Sequence, residues 1–354
     1  MDDRIDLLGL TSRDFAATAS RVLDSGAGVA SALYARAFET GCLDPEALGV
    51  STGSARSWRE HFAVGLLDVQ RVVDDEGEFG TTSKAVMAAA DGSLVECVHI
   101  PMPARPGSPA KSTLCISSQV GCRMGCAFCE TGRSGLRRNL SASEIVAQYL
   151  TARVRLGWQV RNIVFMGMGE PLDNLPNVAA ALRVFNDSRG PGIAWERITV
   201  CSSCPPGGPE ALRRLAFKRL NFSLSLNAGT DATRTSIMPV NRGCGLGYLA
   251  AAVAAYPQRP NFVLGVNYCL IPGINDSPEE ARGVARFCAE AGRAIVNLIP
   301  YNPGSAPLSR SPTEDELERF EAALRGEGCD VRRRARKGGG IMAGCGQLGG
   351  RPSV

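Results

Sequence analysis

Histidine is almost missing from this chain of 354 residues: His61 and His99 are the only two. A zinc centre that leans on imidazole therefore has nothing to draw on beyond residue 100. No run of eighteen apolar residues occurs, which excludes a membrane-spanning helix. The opening MDDRIDLLGL is acidic and has no basic region followed by an apolar one, so it does not read as a secretory signal. Internal repeats are absent, and low-complexity sequence is confined to the Pro-rich stretch PMPARPGSPAKS and to Gly338, Gly339 and Gly340. A cytoplasmic protein without membrane association is the expectation. Cysteine, by contrast, is plentiful, with thirteen residues. In a reducing compartment an odd set of this kind is seldom a disulfide framework and more often supplies ligands, nucleophiles or small core residues.

Hydrophobic residues make up 44% of the chain and charged residues 21%, ordinary values that leave no need for disorder. The length allows one large α/β domain and about a hundred further residues for a smaller one. A net charge of +4 hides a division: residues 1–100 carry eight Lys/Arg against sixteen Asp/Glu, and residues 101–354 carry 31 against 19. A polyanionic partner would meet the second part first. Equally, an acidic cap could complement a basic barrel.

Residues 1–100 read as an N-terminal accessory α+β domain, helical from about Ser12 to Glu39 and β-like near Lys84 to Ile100, with DDEGEFG and AADGS as turns. The Pro-rich residues 101–112 read as a linker and 113–354 as the main domain. From Leu114 onward, short β-rich runs alternate with helical patterns, the signature of βα units and a parallel sheet. The expected strands are LCISSQV (114–120), NIVFMG (162–167), ITVCSS (198–203), FSLSLN (222–227), FVLGVNYCL (262–270) and AIVNLIP (294–300). Ser141 with Glu144, Ser277 with Glu280 and Thr313 with Glu316 mark helix starts. Six units imply an α/β fold built on a partial (β/α)6 barrel, because closing a standard one takes eight. Active sites of such barrels lie at the C-terminal ends of the strands, where every motif below falls.

Cys122, Cys126 and Cys129 stand at a C-x3-C-x2-C spacing directly after the first of these strands. A loop this short can wrap three thiolates around three corners of a 4Fe-4S cubane and leave the fourth iron open. Zinc would require a fourth Cys or His nearby, and unligated thiols are the remaining alternative. Met166-Gly-Met-Gly-Glu170-Pro171 ends the second strand with two glycines that permit close approach of a ligand to backbone; by itself such a turn says little. Taken singly, Cys115 reads as a buried strand cysteine and Cys345, in GIMAGCGQL, as a small residue in a C-terminal loop.

The three-cysteine motif resembles the radical-SAM signature. Its surroundings resemble one subgroup, the RNA methyltransferases that act on carbon 2 of adenosine in ribosomal RNA and transfer RNA, with relatives acting on carbon 8. The resemblance is nearly collinear: SLVECVHIP near 93–101, STLCISSQVGC and CAFC within 112–129, RRNLSASEIVAQ at 137–148, NIVFMGMGEPLDNL at 162–175, SLNAGTDATR at 225–234, MPVNR at 238–242, NLIPYNPG at 297–304 and GIMAGCGQL at 340–348. It is weakest before residue 80.

The resemblance implies a 4Fe-4S cluster on Cys122, Cys126 and Cys129, and S-adenosylmethionine bound at Gly169, Glu170, Cys201, Ser225, Leu226, Asn227 and Asn302. It implies that Cys345 accepts a methyl group, that Cys115 later releases product through a transient disulfide with Cys345, and that Glu96 accepts a proton. The chemistry is coherent, because an adenine carbon flanked by nitrogens is electrophilic and has no acidic C–H. A methylene radical formed on methylated Cys345 can add to it where a simple methyl transfer cannot. Two positions depart from the family pattern: Cys201-Ser202-Ser203-Cys204 replaces Ser-Thr-Ser-Gly, and Asn227 replaces His. A thiol substitutes sterically for a hydroxyl, and Asn keeps a donor and an acceptor. Cys42, Cys97, Cys204, Cys244, Cys269, Cys288 and Cys329 read as packing residues.

Arg332-Arg333-Arg334-Ala335-Arg336-Lys337 leads into the Cys345 loop, and Arg133, Arg137 and Arg138 follow the cluster loop. Both would border one mouth of the barrel and hold a phosphate backbone there, with the adenosine unstacked to reach the cluster. The expected partners are an RNA and an external electron donor such as flavodoxin or ferredoxin. Against this, the N-terminal part is acidic, and the aromatic pattern typical of the family's RNA-contacting domain is not apparent. Two other readings stay open: a radical-SAM methylase acting on a peptide or small molecule, and a non-enzymatic iron–sulfur or zinc module.

Overall fold

The structure, a computed structural model, describes residues 4–103, 111–256 and 262–349. One ten-stranded sheet forms its centre. Strands β1 (Asp68–Gly77), β2 (Gly80–Ala88) and β3 (Leu94–Met102) run antiparallel, and β3 pairs antiparallel with β4 (Lys111–Cys115). From β4 the sheet is parallel and follows chain order through β5 (Asn162–Phe165), β6 (Ile198–Ser202), β7 (Asn221–Ser225), β8 (Leu264–Leu270) and β9 (Ala294–Pro300). These six correspond to the expected strands, except that the first, expected over 114–120, ends at Cys115, and Gln119–Gly121 pairs instead with Leu136–Asn139 in a separate two-stranded sheet. A seventh parallel strand, β10 (Val331–Arg333), lies beside β9, and β1 and β10 are the two edges. The barrel is therefore open.

The division expected at residues 101–112 falls inside this sheet. Pro101 and Met102 end β3, Lys111 and Ser112 begin β4, and the register pairs Pro101 with Ser112 and Met102 with Lys111. An unpaired edge on β4 would expose a row of backbone donors and acceptors, and β3 covers it. Residues 104–110 of the expected linker lie outside the described residues. Most of DDEGEFG is likewise strand: Asp74–Gly77 continue β1, leaving Glu78 and Phe79 to turn.

Helices α1 (Ser12–Val22), α2 (Ala30–Thr40) and α3 (Thr52–His61) precede the sheet. The helical stretch expected over about 12–39 is formed as two helices, separated where Leu23 is extended and Gly26 takes φ +81°, a left-handed conformation open chiefly to glycine. Phe15, Tyr34, Phe38, Trp58 and Phe62 gather between the three helices with ring centroids 5.0–5.8 Å apart. An aromatic core is thus present although no linear pattern announces it. This layer docks on the helices Ala142–Val154 and Leu175–Asn186, with Ser12 N–H donating to the Asp187 carboxylate (2.6 Å) and Leu67 N–H to Thr151 Oγ1 (3.1 Å). Helix Ala142–Val154 is covered on every side: Ile145 through Ala152 are all buried, as expected of a helix packed between layers. The capping boxes at Ser141/Glu144 and Thr313/Glu316 are both formed. Ser277 caps its helix, but the Glu280 carboxylate turns away and accepts from Thr230 Oγ1 (2.8 Å) and from Gly229 N–H.

That turn brings helix Pro278–Ala291 onto the loop after β7. A Cβ built on Gly283 would stand 2.8 Å from Gly229 Cα and closer still to its carbonyl. Gly283→Ala is expected to cost about 1–3 kcal/mol through overpacking, read as a lower urea midpoint.

Candidate active site

β4 carries the chain into residues 116–121, and this segment is zipped to the turn after β5. Gly167 N–H donates to the Ile116 carbonyl (3.0 Å), Ser118 N–H to the Met168 carbonyl (2.8 Å), Met168 N–H to Ser117 Oγ (2.8 Å) and Glu170 N–H to Gln119 Oε1 (2.8 Å). Glycine is required at two points of the approach. A Cβ on Gly167 would lie 2.6 Å from the Ile116 carbonyl carbon, and one on Gly169, at φ +96°, would lie 2.5 Å from Gln119 Cβ. Gln148 of helix Ala142–Val154 fixes Ser117, accepting from its N–H (2.8 Å) and donating to its carbonyl (2.9 Å).

Beyond this zipper, Gly121 at φ +78° and Gly125 at φ +66° shape the cluster loop. Cys129 N–H donates to the Cys126 carbonyl (3.1 Å), and Ala127 N–H to the Ile237 carbonyl (2.9 Å). Cys122, Cys126 and Cys129 line one cavity together with Gly169, Glu170, Cys201, Ser225, Asn227 and Cys345. Burial pushes the Cys122 thiol up to about 12 and raises Cys126 and Cys129 as well. Thiols held protonated by desolvation ionise when a metal replaces the proton. Among the described residues no three His, Cys, Asp or Glu side chains converge on a single ion; the donor set is three thiols spread along one wall, which fits a cluster that takes one thiolate per iron.

The Glu170 carboxylate is fully engaged. It accepts from Leu172 N–H (3.0 Å), Ser202 Oγ (2.6 Å), Ser203 N–H (2.8 Å) and Ser203 Oγ (2.8 Å). Desolvation raises its pKa, and these donors oppose the rise. The side chain thus locks the end of β5 to the end of β6, while the Glu170 backbone is engaged as well, its N–H with Gln119 Oε1 (2.8 Å) and its carbonyl with Asp173 N–H (3.1 Å). Ser202 and Ser203, which looked like part of a departure, are what satisfies this carboxylate.

Arg234 escaped the sequence reading although it closes SLNAGTDATR. It is fully buried, and its guanidinium donates to the carbonyls of Leu226 (3.0 Å), Ser203 (2.9 Å) and Ser225 (3.2 Å) and to Asn241 Oδ1 (2.8 Å). One side chain therefore ties the ends of β6 and β7 together, and its positive charge favours the Cys126 thiolate. Asn227 takes φ +59°, a left-handed conformation that Asn tolerates, and its Oδ1 accepts from Cys269 N–H (2.9 Å). Leu226 is fully buried, with its carbonyl accepting from Arg234 Nε (3.0 Å) and its N–H donating to the Asn267 carbonyl (3.0 Å). Asn302 is also off the cavity wall: it packs on Gly344, where an added Cβ would lie 2.7 Å from its Nδ2.

The segment 342–349 is seated on the cluster loop. Glu130 N–H donates to the Gly346 carbonyl (2.7 Å), Thr131 Oγ1 to the Leu348 carbonyl (2.6 Å) and Gln347 Nε2 to the Pro303 carbonyl (2.9 Å). Cys345 is exposed toward the cavity, yet the surrounding protein still raises its thiol pKa by desolvation, with Arg334 acting against the rise. Cys115 is buried in a small apolar cluster with Val98, Met168, Ala343 and Leu348, and burial raises its thiol, with Cys345 among the neighbours that add to the shift. No disulfide joins them, as all thirteen cysteines are free. Glu96 does not line the cavity; it accepts from Gly349 N–H (3.0 Å). Cys97 is fully buried, with its thiol pushed up to about 12, and serves as packing. Cys201 and Cys269 both line the cavity.

The basic segments are only partly free. Arg138 spans Asp91 (2.7 Å) and Glu144 (2.8 Å), Arg133 pairs with Glu130 (2.9 Å), and Arg333 pairs with Glu314. Arg333, Arg334 and Arg336 line a surface groove with Pro300 and Pro312.

An open parallel barrel that carries three spaced thiols after its first strand, facing a glycine turn after its second, is the architecture of a radical-SAM enzyme. The model of the radical SAM superfamily matches residues 116–288. A probable dual-specificity RNA methyltransferase RlmN 1 of Protochlamydia amoebophila is 38% identical over 98% of this chain and 94% of its own length. The dual-specificity RNA methyltransferase RlmN of Syntrophobacter fumaroxidans is 41% identical over 83% of this chain and 84% of its own. The crystal structure of a radical SAM methyltransferase from Sphaerobacter thermophilus is 32% identical and superposes with a TM-score of 0.87, covering 98% of this chain and 99% of that one. The chain belongs to the RlmN family of radical-SAM methyltransferases, a family whose chemistry uses S-adenosylmethionine and a 4Fe-4S cluster. No helix among the described residues is long and apolar enough to cross a membrane.

Because Arg234 holds three strand-end carbonyls away from water, Arg234→Met is expected to cost on the order of 3 kcal/mol through unsatisfied acceptors. Arg234→Lys, lacking the planar fork, should recover little of it. Thermal unfolding, with iron content after anaerobic reconstitution, measures both.

Proposed function

We propose that this chain methylates carbon 2 of adenosine in ribosomal RNA, transfer RNA or both, with carbon 8 as the alternative target, and that Cys345 carries the methyl group. The observation that supports this best is that two cysteines 230 residues apart in sequence come near enough to influence each other electrostatically. Cys115 packs against Ala343 and Leu348, the residues that flank Cys345, while Cys345 itself shares the cavity wall with Cys122, Cys126 and Cys129. A carrier thiol open to the cavity and a resolving thiol sealed behind it is the arrangement a two-cysteine transfer needs.

Cys122, Cys126 and Cys129 would hold the cluster, and Gly169, Glu170, Cys201, Ser225, Leu226, Asn227 and Asn302 would bind or support S-adenosylmethionine. When bound, the cluster supplies the single electron, delivered by a donor such as flavodoxin or ferredoxin, that converts this sulfonium into a source of carbon radicals. Desolvation raises the Cys345 thiol, and the charge of Arg334 acts against that rise. Glu96 would accept the proton lost from the methylated carbon, and Cys115 would attack the Cys345 sulfur of the thioether to the base, so that the carbon–sulfur bond breaks with its electron pair on the methylene carbon, that carbon takes up a proton to become the methyl group, and a disulfide joins the two sulfurs. The groove lined by Arg334 and Arg336 offers cations for a phosphate backbone. The relatives' names, dual-specificity RNA methyltransferases, support RNA as the substrate.

Reconstituted protein should contain about four irons per chain and release deoxyadenosine on reduction; zinc alone, or no deoxyadenosine, would remove the basis for the proposal. Digests of total RNA from cells with and without the gene should differ in methyladenosine by mass spectrometry, and identical digests would point to a non-RNA substrate. Cys115→Ala should trap a covalent protein–RNA adduct on denaturing gels, whereas Cys345→Ala should form none; equal turnover by both variants would contradict the two-cysteine scheme.

A further inference from the structure

Beside the cavity a lysine and a glutamate are buried together on neighbouring strands. Lys84 of β2 is 3% exposed and Glu96 of β3 is 7% exposed, with Nζ 3.8 Å from Oε2. The register sets Lys84 opposite Val98 and Val86 opposite Glu96, so the two are diagonal neighbours on one face of the sheet. Both reach the reactive segment. Lys84 Nζ donates to the Met342 carbonyl (3.1 Å), and Gly349 N–H donates to Glu96 Oε2 (3.0 Å). The pair therefore grips residues 342–349 at both ends, with Cys345 between the two grips.

Such a pair is a poor way to gain stability. Desolvation lowers the pKa of the ammonium and raises that of the carboxyl despite their mutual attraction, and an apolar replacement of a buried pair is often as stable or more so. Packing alone does not account for it. The titratable groups that act on this pair are Lys84 from β2, with Arg71 of β1 acting on it in turn, and Cys97 on the strand of Glu96 itself. Of these, Lys84 is the group that stabilises the carboxylate form directly.

We propose that Lys84 is a positioning residue for methyl transfer: its ammonium keeps Glu96 a carboxylate and ties that carboxylate to the two ends of the Cys345 segment, so that proton acceptor and methyl carrier are set by one cation. The inference rests on the roles proposed above for Glu96 and Cys345. A proton acceptor must be ionised before the base arrives, and a carboxylate this enclosed needs a fixed countercharge to remain so. Removing the ammonium raises the pKa of Glu96, and the acidic limb of the rate profile moves to higher pH.

The test is a single-turnover RNA methylation profile against pH for wild type, Lys84→Met, Lys84→Gln, Lys84→Arg and Glu96→Gln, with hydrogen exchange of residues 342–349 measured in parallel. Lys84→Met should shift the acidic limb upward by about one pH unit or more and speed exchange in the segment. Lys84→Gln, which keeps a donor for the Met342 carbonyl without the charge, should show the same limb shift with less change in exchange, and it replaces Lys84→Met if that variant does not fold. Lys84→Arg should restore the limb. A lower rate with an unmoved limb in the uncharged variants would mean that Lys84 serves the fold alone and would overturn the proposal. Wild-type turnover and an intact limb in Glu96→Gln would instead remove Glu96 as proton acceptor, a failure of the underlying reading that is distinguishable from the first.

Discussion

Buried backbone at the ends of β4 and β5 has no water to pair with, and the rest of the site follows from how that need is met. Residues 116–119 and 167–170 satisfy one another through main chain, Ser117 and Gln119, and Gly167 and Gly169 make the approach possible. Buried polar groups in a loop must be paired somewhere, so the cluster loop inherits a fixed starting point. Glu170 extends the same lock to Ser202 and Ser203, and Arg234 extends it to the carbonyls of Ser203, Ser225 and Leu226. Four strand ends are bound into one rim, on which the thiols are placed rather than left to a mobile loop.

The C-terminal segment uses that rim as a seat. Its contacts come from three directions: the turn after Cys129, Pro303 after β9, and the Lys84–Glu96 pair on the antiparallel strands. Each is a hydrogen bond involving main chain, worth a modest amount alone, and they act together with the packing of Ala343 and Leu348 against Cys115, Val98 and Met168. A segment held largely by hydrogen bonds to main chain can be specific in position and still exchange its partners. Burial raises the thiols of both Cys115 and Cys345, which disfavours the thiolate form of each.

The acidic N-terminal part is neither a detached domain nor only a charged cap. Its strands complete the sheet that carries Cys115, and Asp91 meets Arg138 across the boundary. Some of the basic charge that a linear reading offers to phosphate is therefore spent inside the protein, and what remains is concentrated near β10 and Arg334. The three helices close over aromatic rings and dock outside the barrel.

Local chemistry was legible in the chain itself: the C-x3-C-x2-C spacing, the glycines of MGMGEP, the capping boxes at Ser141 and Thr313 and six of the seven parallel strands depend on neighbours within a few residues. What depends on partners far along the chain was not. The 101–112 boundary dissolved because sheet pairing is decided by which edge lies open, and the aromatic core of the helices is assembled from residues up to 47 positions apart. Arg234 was invisible because its importance lies in carbonyls at the ends of two other strands, and Lys84 because its partners are 12 and 258 residues away. Sequence determined which chemical groups the protein has and which short turns hold them; tertiary structure decided which of those groups face one another, since a hydrogen bond or an ion pair is set by distance in space and not by distance along the chain.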